Sequence, residues 1–244
     1  MKNVIIIGAQ RSGSSFLSDI LTEHPDVIRS IPSKPEPKYF LQEKKLINRA
    51  DYLDVYFKNY SNNNVLLEKS TSYYESTTAL KNIKENLQEV KILMILRNPI
   101  ERALSNYFFS KNNGLETRTL NEVFINKTPV PNKISTKTSV NPFNYLERGL
   151  YVNYIHNLFK VFDKDDVKIV LLEKLIGSQD YLNEIYSFIG LKKHTSNLLS
   201  SIVNQSHKDS EVPFEVFQKI KKYYEEHNFQ LSKILQQDLD KIWI

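Results

Sequence analysis

Gly8 and Gly13 stand five residues apart and enclose Ala9-Gln10-Arg11-Ser12, with Ser14, Ser15 and Phe16 following. Two glycines at this spacing, between an apolar run and a helical pattern, turn backbone N–H groups toward an anion. The first N–H groups of a helix have no intrahelical partner, and the helix dipole adds favourable potential there. Ser12, Ser14 and Ser15 add hydroxyl donors, and Arg11 adds a permanent charge on a bidentate fork. A nucleoside-triphosphatase loop carries lysine directly after the second glycine. Ser14 occupies that position here, so the anion expected is not the β/γ end of ATP.

A second charged residue ends the apolar run Lys91–Leu96. Kinases and ATPases place an acid after such a strand to hold Mg²⁺; this chain has Arg97. An arginine repels a metal and attracts another anion. The pattern therefore predicts two anion sites at the ends of two neighbouring strands, which a nucleotide with separate 5′ and 3′ phosphates satisfies. Cysteine is absent, which excludes thiolate metal sites, disulfides and a cysteine nucleophile. The histidines form no short ligand pair, and no metal is expected.

The elements that must position these groups follow from the rest of the chain. Its 244 residues, 41% hydrophobic and 25% charged, suit one soluble domain spanning 1–244 with a sizeable core. The net charge of +5 fits an anionic ligand and equally an excess of surface lysine. No basic run carries interleaved aromatics, so nucleic acid is not an expected partner. Val4–Ile7 is too short for a secretory signal and no run reaches transmembrane length, so a cytoplasmic protein is expected. Val4–Ile7, Val65–Leu67, Lys91–Leu96 and Val167–Leu172 read as strands. Helices are predicted from Ser14 to before Pro25, over 52–57, 78–87, 99–110, 120–125, 151–162, 181–189 and 214–239. Asn98 is a good N-cap and Pro99 a good first helical residue. The alternation predicts an α/β fold: a P-loop-containing three-layer sandwich with a central parallel sheet flanked by helices. Residues 111–143, polar and proline-bearing, read as a long excursion.

Gly8-Ala9-Gln10-Arg11-Ser12-Gly13-Ser14-Ser15-Phe16 resembles the 5′-phosphosulfate-binding loop of sulfotransferases that use 3′-phosphoadenosine 5′-phosphosulfate (PAPS). Leu96-Arg97-Asn98-Pro99-Ile100-Glu101-Arg102-Ala103-Leu104-Ser105 resembles their 3′-phosphate segment, and the pair, in this order and spacing, is the more specific signal. Glu68-Lys69-Ser70-Thr71-Ser72-Tyr73, the stretch around Glu36, Lys38, Tyr39 and Phe40, and Arg148-Gly149-Leu150-Tyr151 are similar to the heparan-sulfate-type, carbohydrate-modifying branch. The matching motifs span roughly residues 4–175.

The resemblance implies sulfuryl transfer from PAPS to a hydroxyl or amine of a carbohydrate or small polar metabolite, with adenosine 3′,5′-bisphosphate (PAP) as product. It implies nucleotide contacts from Arg11, Ser12, Gly13, Ser14, Ser15 and Phe16, with Arg97 and Ser105 on the 3′-phosphate. It also implies Glu36 as the base for the acceptor, although on its residues alone Glu36 reads as an exposed acid in a proline-rich loop. Arg11 stands where many members have a catalytic lysine. Lys69, placed after a strand, is the candidate for a mobile cation near the transferred group, and Lys34 and Lys38 compete for the sulfate. Arg148 either contacts the nucleotide or braces its loop. Lys208 lies where the family often has a loop covering the nucleotide, but the glycine-rich form of that loop is absent. Arg102 reads as a solvated helix residue. Thr71 replaces the branch's proline. The cations of the 111–143 excursion (Lys111, Arg118, Lys127, Lys133, Lys137) either line an acceptor-side cleft or belong to a solvated loop. A P-loop kinase and a non-catalytic nucleotide-binding module are the alternatives; binding of PAP against ATP–Mg²⁺ separates the first, and absence of transfer the second.

Overall fold

The apolar run at the start of the chain forms β1 (Lys2–Gly8), buried from Asn3 to Gly8. Burial on both faces is what a wholly apolar, β-branched run requires, and a central parallel strand supplies it. In chain order there follow α1 (Ser14–Thr22), β2 (Val27–Arg29), α2 (Arg49–Tyr56), β3 (Val65–Lys69), α3 (Thr77–Asn86), β4 (Val90–Leu96), α4 (Pro99–Asn112), α5 (Leu120–Phe124), α6 (Tyr151–Phe159), β5 (Val167–Leu171), α7 (Leu172–Leu175), α8 (Gln179–Phe188), α9 (Phe214–Leu235) and α10 (Leu239–Ile242). This computed structural model describes residues 2–62, 64–130, 142–200 and 212–243. The described residues fall into two compact units, Met1–Leu96 with Asn153–Ser201 and Arg97–Val152 with Ile202–Ile244.

The first unit holds the whole sheet. Its order is β2-β3-β1-β4-β5, and every pairing is parallel. The α/β fold with a central parallel sheet flanked by helices is therefore the one expected. β1 lies in the middle, with β3 and β2 on one side and β4 and β5 on the other. The direction of winding reverses at β1, and ligands of open α/β sheets bind outside the carboxyl ends of the strands at such a switch point. That end of β1 is Gly8.

The second unit packs α4, α5 and α9 around Ile100, Leu104, Tyr107, Phe124, Tyr145, Val216, Ile220 and Tyr224. Asn98 caps α4, its side chain accepting from the Ile100 N–H at 3.0 Å, and Pro99 opens the helix. Thr119 and Glu122 form a capping box on α5.

Several boundaries differ from the sequence expectation. β2 is three residues long and only partly buried at the sheet edge, too short to show a period. β3 runs through Glu68 and Lys69, two residues beyond the expected end at Leu67, and both are buried. The terminal helix breaks at Gln236, which takes a left-handed conformation (φ 53°), before α10. Arg102 is not solvated: it is fully buried and donates to Asn106 Oδ1 at 3.4 Å and to the Tyr145 carbonyl. In the 111–130 stretch, Arg118 grips the buried Glu116 carboxylate at 2.6 and 3.0 Å, and Lys111 donates to the carbonyls of Thr117 and Arg118. These contacts hold the excursion together, and Arg118 with Lys127 also lines a cavity of about 220 Å³ in the second unit; Lys133 and Lys137 lie outside the described residues. No helix among the described residues is long and apolar enough to cross a membrane.

Candidate active site

In the first unit the turn after β1 has the conformation its residues suggest. Arg11 (φ 64°) and Gly13 (φ 84°) both take the left-handed region. Gly13 is the N-cap of α1, so no side chain caps the helix, and the first turn carries no acid. A Cβ on Gly13 would lie 2.6 Å from Leu172 Cδ1, so any other residue here has to displace that side chain as well as adopt the left-handed dihedral. Ser12 and Ser14 are buried in the turn and Ser15 is exposed. The Ala9 N–H donates to the Ile95 carbonyl at 2.8 Å, and Gln10 Nε2 donates to Ser72 Oγ at 3.1 Å, tying the loop to the ends of β4 and β3. An uncapped helix start, an arginine and three serines make this turn suited to an anion.

Glu36 sits on the extended, proline-flanked segment after β2. It is no solvated acid: Lys69 Nζ donates to its Oε1 at 2.7 Å, and the Thr71 N–H donates to its Oε2 at 2.9 Å. The Thr71 hydroxyl donates at 3.0 Å to the same carboxylate. Lys69 ends β3, so the sheet itself aims its ammonium. The Lys69 and Glu36 side chains retain only 10% and 17% of their exposure, so the pair is sheltered yet reachable.

A cavity of about 210 Å³ opens beside this pair; Lys69, Ser15, Ser18, Ser30, Ser33 and Lys34 are among its lining residues. Arg29 and Asp19 also line it and pair with each other at 2.5 Å. The cavity joins two groups that the sequence alone treats separately, the first turn of α1 and the cation holding Glu36. Of the two competing lysines, Lys34 lines it. Ser18 Oγ is buried and has no hydrogen-bond partner among the described residues.

The second unit carries the residues assigned to the 3′-phosphate. Arg97 is mostly buried and pairs with Glu101 at 3.0 Å across one turn of α4. Its carbonyl accepts from the Tyr151 hydroxyl at 2.9 Å. Ser105 is buried on the same helix. Arg148 is fully buried in a 3-10 turn, over which the Tyr224 hydroxyl donates to the Leu146 carbonyl at 2.7 Å. Lys208 lies outside the described residues.

The sequence reading did not include Thr71, Ser70 or Glu68 among the functional residues. The signal lay in the run Glu68–Tyr73: a stretch of polar residues continuing an apolar strand is costly to bury unless each polar group is used.

The chain belongs to the sulfotransferase domain family, whose model matches residues 1–238. Over 195 residues it is 25% identical to human heparan sulfate glucosamine 3-O-sulfotransferase 3B1, covering 79% of this chain and 47% of that protein. Over 113 residues it is 31% identical to the membrane-associated sulfotransferase kil1 of Dictyostelium discoideum, covering 45% of this chain and 23% of that protein. The chain thus spans less than half the length of these curated relatives. A sulfotransferase from Alicyclobacillus acidocaldarius shares the fold with a TM-score of 0.74 at 19% identity, covering 99% of this chain and 98% of that one. Mouse sulfotransferase SULT7A1 complexed with PAP superposes with a TM-score of 0.55 at 14% identity, covering 95% of this chain and 85% of that one. The kinase alternative is not favoured.

Proposed function

We propose that this chain transfers the sulfuryl group of PAPS to a hydroxyl or amine of a carbohydrate or small polar acceptor. One observation carries the reading: a single cavity is lined by Ser15, from the first turn of α1, and by Lys69, whose ammonium holds the Glu36 carboxylate at 2.7 Å. The start of a turn suited to an anion and the cation that holds the proposed base thus line one space, which this reading gives to the acceptor. The turn is suited to a 5′-phosphosulfate by its glycine cap, its serines and the absence of an acid in the first helical turn.

PAPS supplies an activated sulfuryl group on a phosphate leaving group. Glu36 accepts the proton of the acceptor hydroxyl as its oxygen attacks sulfur in line with the bond to the leaving phosphate. Lys69 stabilises charge on the transferred group. Arg11 and the N–H groups at the start of α1 take up charge on the departing phosphate; arginine holds that charge without giving up its proton. This division follows from a loose, anionic transition state, for which positioning and electrostatics do most of the work. Arg97 and Ser105 hold the 3′-phosphate. Arg148, buried in its turn, braces the chain ahead of α6. Lys208 remains a nucleotide contact on the sequence reading alone.

Thermal shift with PAP, set against ATP plus Mg²⁺, tests the donor. Stabilisation by PAP is expected, and stabilisation by ATP–Mg²⁺ alone overturns the reading. A screen of sugars, amino sugars and small polyols with labelled PAPS then identifies the acceptor. PAP binding without transfer to any of them assigns the chain to a non-catalytic nucleotide-binding role.

A further inference from the structure

Glu68 is a fully buried carboxyl in the first unit, and no step of the transfer uses it. It is fully buried in β3, where it is paired in register with Ile5 of β1. Among the described residues no salt bridge to it is present. Its oxygens instead take hydroxyls: Tyr52 donates to Oε2 at 2.7 Å and Ser70 to Oε1 at 2.6 Å, and the Tyr73 phenol is also hydrogen-bonded to it. A buried carboxyl is tolerated when its lone pairs are filled.

Two of those hydroxyls face a second way. Ser70 Oγ accepts from the Lys38 N–H at 2.9 Å, and the Tyr73 oxygen accepts from the Phe40 N–H at 3.1 Å. Lys38 and Phe40 follow Glu36 directly along the chain, and Lys38 takes a left-handed conformation (φ 53°) that non-glycine residues adopt only when the surroundings hold them there. Asn82 of α3 secures the same segment by donating to the carbonyls of Phe40 and Gln42. Each hydroxyl can serve an amide only as an acceptor, so its own proton must point elsewhere. The Glu68 carboxyl accepts from Ser70 and is hydrogen-bonded to Tyr73, and the Ser70 and Tyr73 side chains are also hydrogen-bonded to each other.

We infer that Glu68 is a positioning residue for the base: it orients the Ser70 and Tyr73 hydroxyls so that both accept from the segment 38–40 and hold Glu36 against Lys69 and Thr71. The role in turnover rests on Glu36 being the base; the anchoring of 38–40 does not. Glutamine at position 68 keeps the shape but leaves one acceptor oxygen for the three hydroxyls of Tyr52, Ser70 and Tyr73, so the orientation of Ser70 and Tyr73 is no longer fixed.

Amide hydrogen exchange resolved at single residues tests the anchoring without any acceptor. S70A is expected to lower protection of the Lys38 amide at least tenfold, Y73F to do the same at Phe40, and S70T to restore Lys38. E68Q is expected to lower protection at one or both, and a folded E68Q with both amides protected as in the wild type overturns the role of Glu68. S70A and Y73F keep the experiment decisive if E68Q does not fold, and unchanged protection at both amides in these two variants overturns the inference. For the role in transfer, PAP release from labelled PAPS is followed with the best acceptor of the screen, or with water as acceptor. S70A is expected to lower kcat at least fivefold with KM for PAPS unchanged, and to have no further effect in an E36Q background. An equal loss in both backgrounds shows that Ser70 does not act through Glu36 and overturns the positioning role. A wild-type protein that binds no PAP refutes the proposed function and leaves the exchange result to stand or fall separately.

Discussion

Thr71 binds Glu36 twice, through its N–H at 2.9 Å and through its hydroxyl at 3.0 Å. The branch that this chain resembles has proline at this position. Proline has neither an N–H nor a hydroxyl, so the clamp on the carboxylate belongs to the threonine. T71S is expected to turn over at close to the wild-type rate. T71A, keeping only the N–H, should lose about tenfold in kcat, since a hydrogen bond to a charged group contributes about 1.5–3 kcal/mol. T71P should lose more. E36Q is expected to lower kcat by about 10²–10⁴-fold, the usual contribution of a general base, with PAP affinity unchanged by calorimetry. Full turnover in E36Q removes Glu36 from the chemistry.

The pairing of Arg97 with Glu101 at 3.0 Å sets up a double-mutant test. R97A removes a cation and also takes from the Glu101 carboxylate its ion pair with Arg97, near the phosphate that Glu101 should repel. PAP affinity should fall by roughly 10–100-fold, on the scale of about 1.5–3 kcal/mol for a charge-assisted contact. R97A/E101Q should recover part of that loss. Titration calorimetry at fixed salt measures both, and a double variant weaker than R97A contradicts the argument.

Gly13 combines two constraints that separate experimentally. G13A meets Leu172 Cδ1 at 2.6 Å and also strains a dihedral of φ 84°. A loss of about 1–3 kcal/mol is expected. G13A/L172A removes the clash but not the strain, so it should remain less stable than L172A alone. Chemical denaturation of the four proteins decides; equal stability of the double variant and L172A shows the dihedral to be relaxed.

Acid should act through the excursion. Burial pushes the Glu116 carboxyl up, but hydrogen bonds from the Arg118 side chain and backbone and from Tyr145 outweigh it and hold the group below its ordinary value. A depressed folded value means that the stabilisation is present above the unfolded value, about 4.3, and is lost as pH falls through the lower folded one. E116Q leaves the mostly buried Arg118 without its carboxylate and should cost roughly 3 kcal/mol at neutral pH. The gap between wild type and E116Q should narrow as urea denaturation is repeated from pH 6 towards pH 3. A gap independent of pH excludes the ion pair as its source.

The parts of this molecule that announce themselves in the sequence are those where one local rule acts alone. β1 is an uninterrupted apolar run, Asn98-Pro99 is a helix start, and Gly8 and Gly13 punctuate a turn; each is found where its residues predict. The misreadings occur where tertiary structure overrides local polarity. Glu68 and Lys69 look like the end of a strand because they are charged, yet hydroxyls from Tyr52, Ser70 and Tyr73 and the carboxylate of Glu36 satisfy them inside it. Arg102 looks solvated because it is an arginine on a helix, but it is buried with acceptors in Asn106, one turn along α4, and the Tyr145 carbonyl. The family resemblance brings Glu36 into view; only the structure shows what grips it.

The cavity beside Lys69 has a wall of small hydroxyl residues, and Ser18, Ser30 and Ser33 take no part in the network that holds Glu36. On the proposed function, chemistry and acceptor shape fall to different stretches of chain: residues 68–73 would keep the base in place, and α1 with the segment after β2 would shape the room in front of it. A mutational library restricted to those three serines can reshape that room for a new acceptor while leaving the proton-accepting apparatus as it stands.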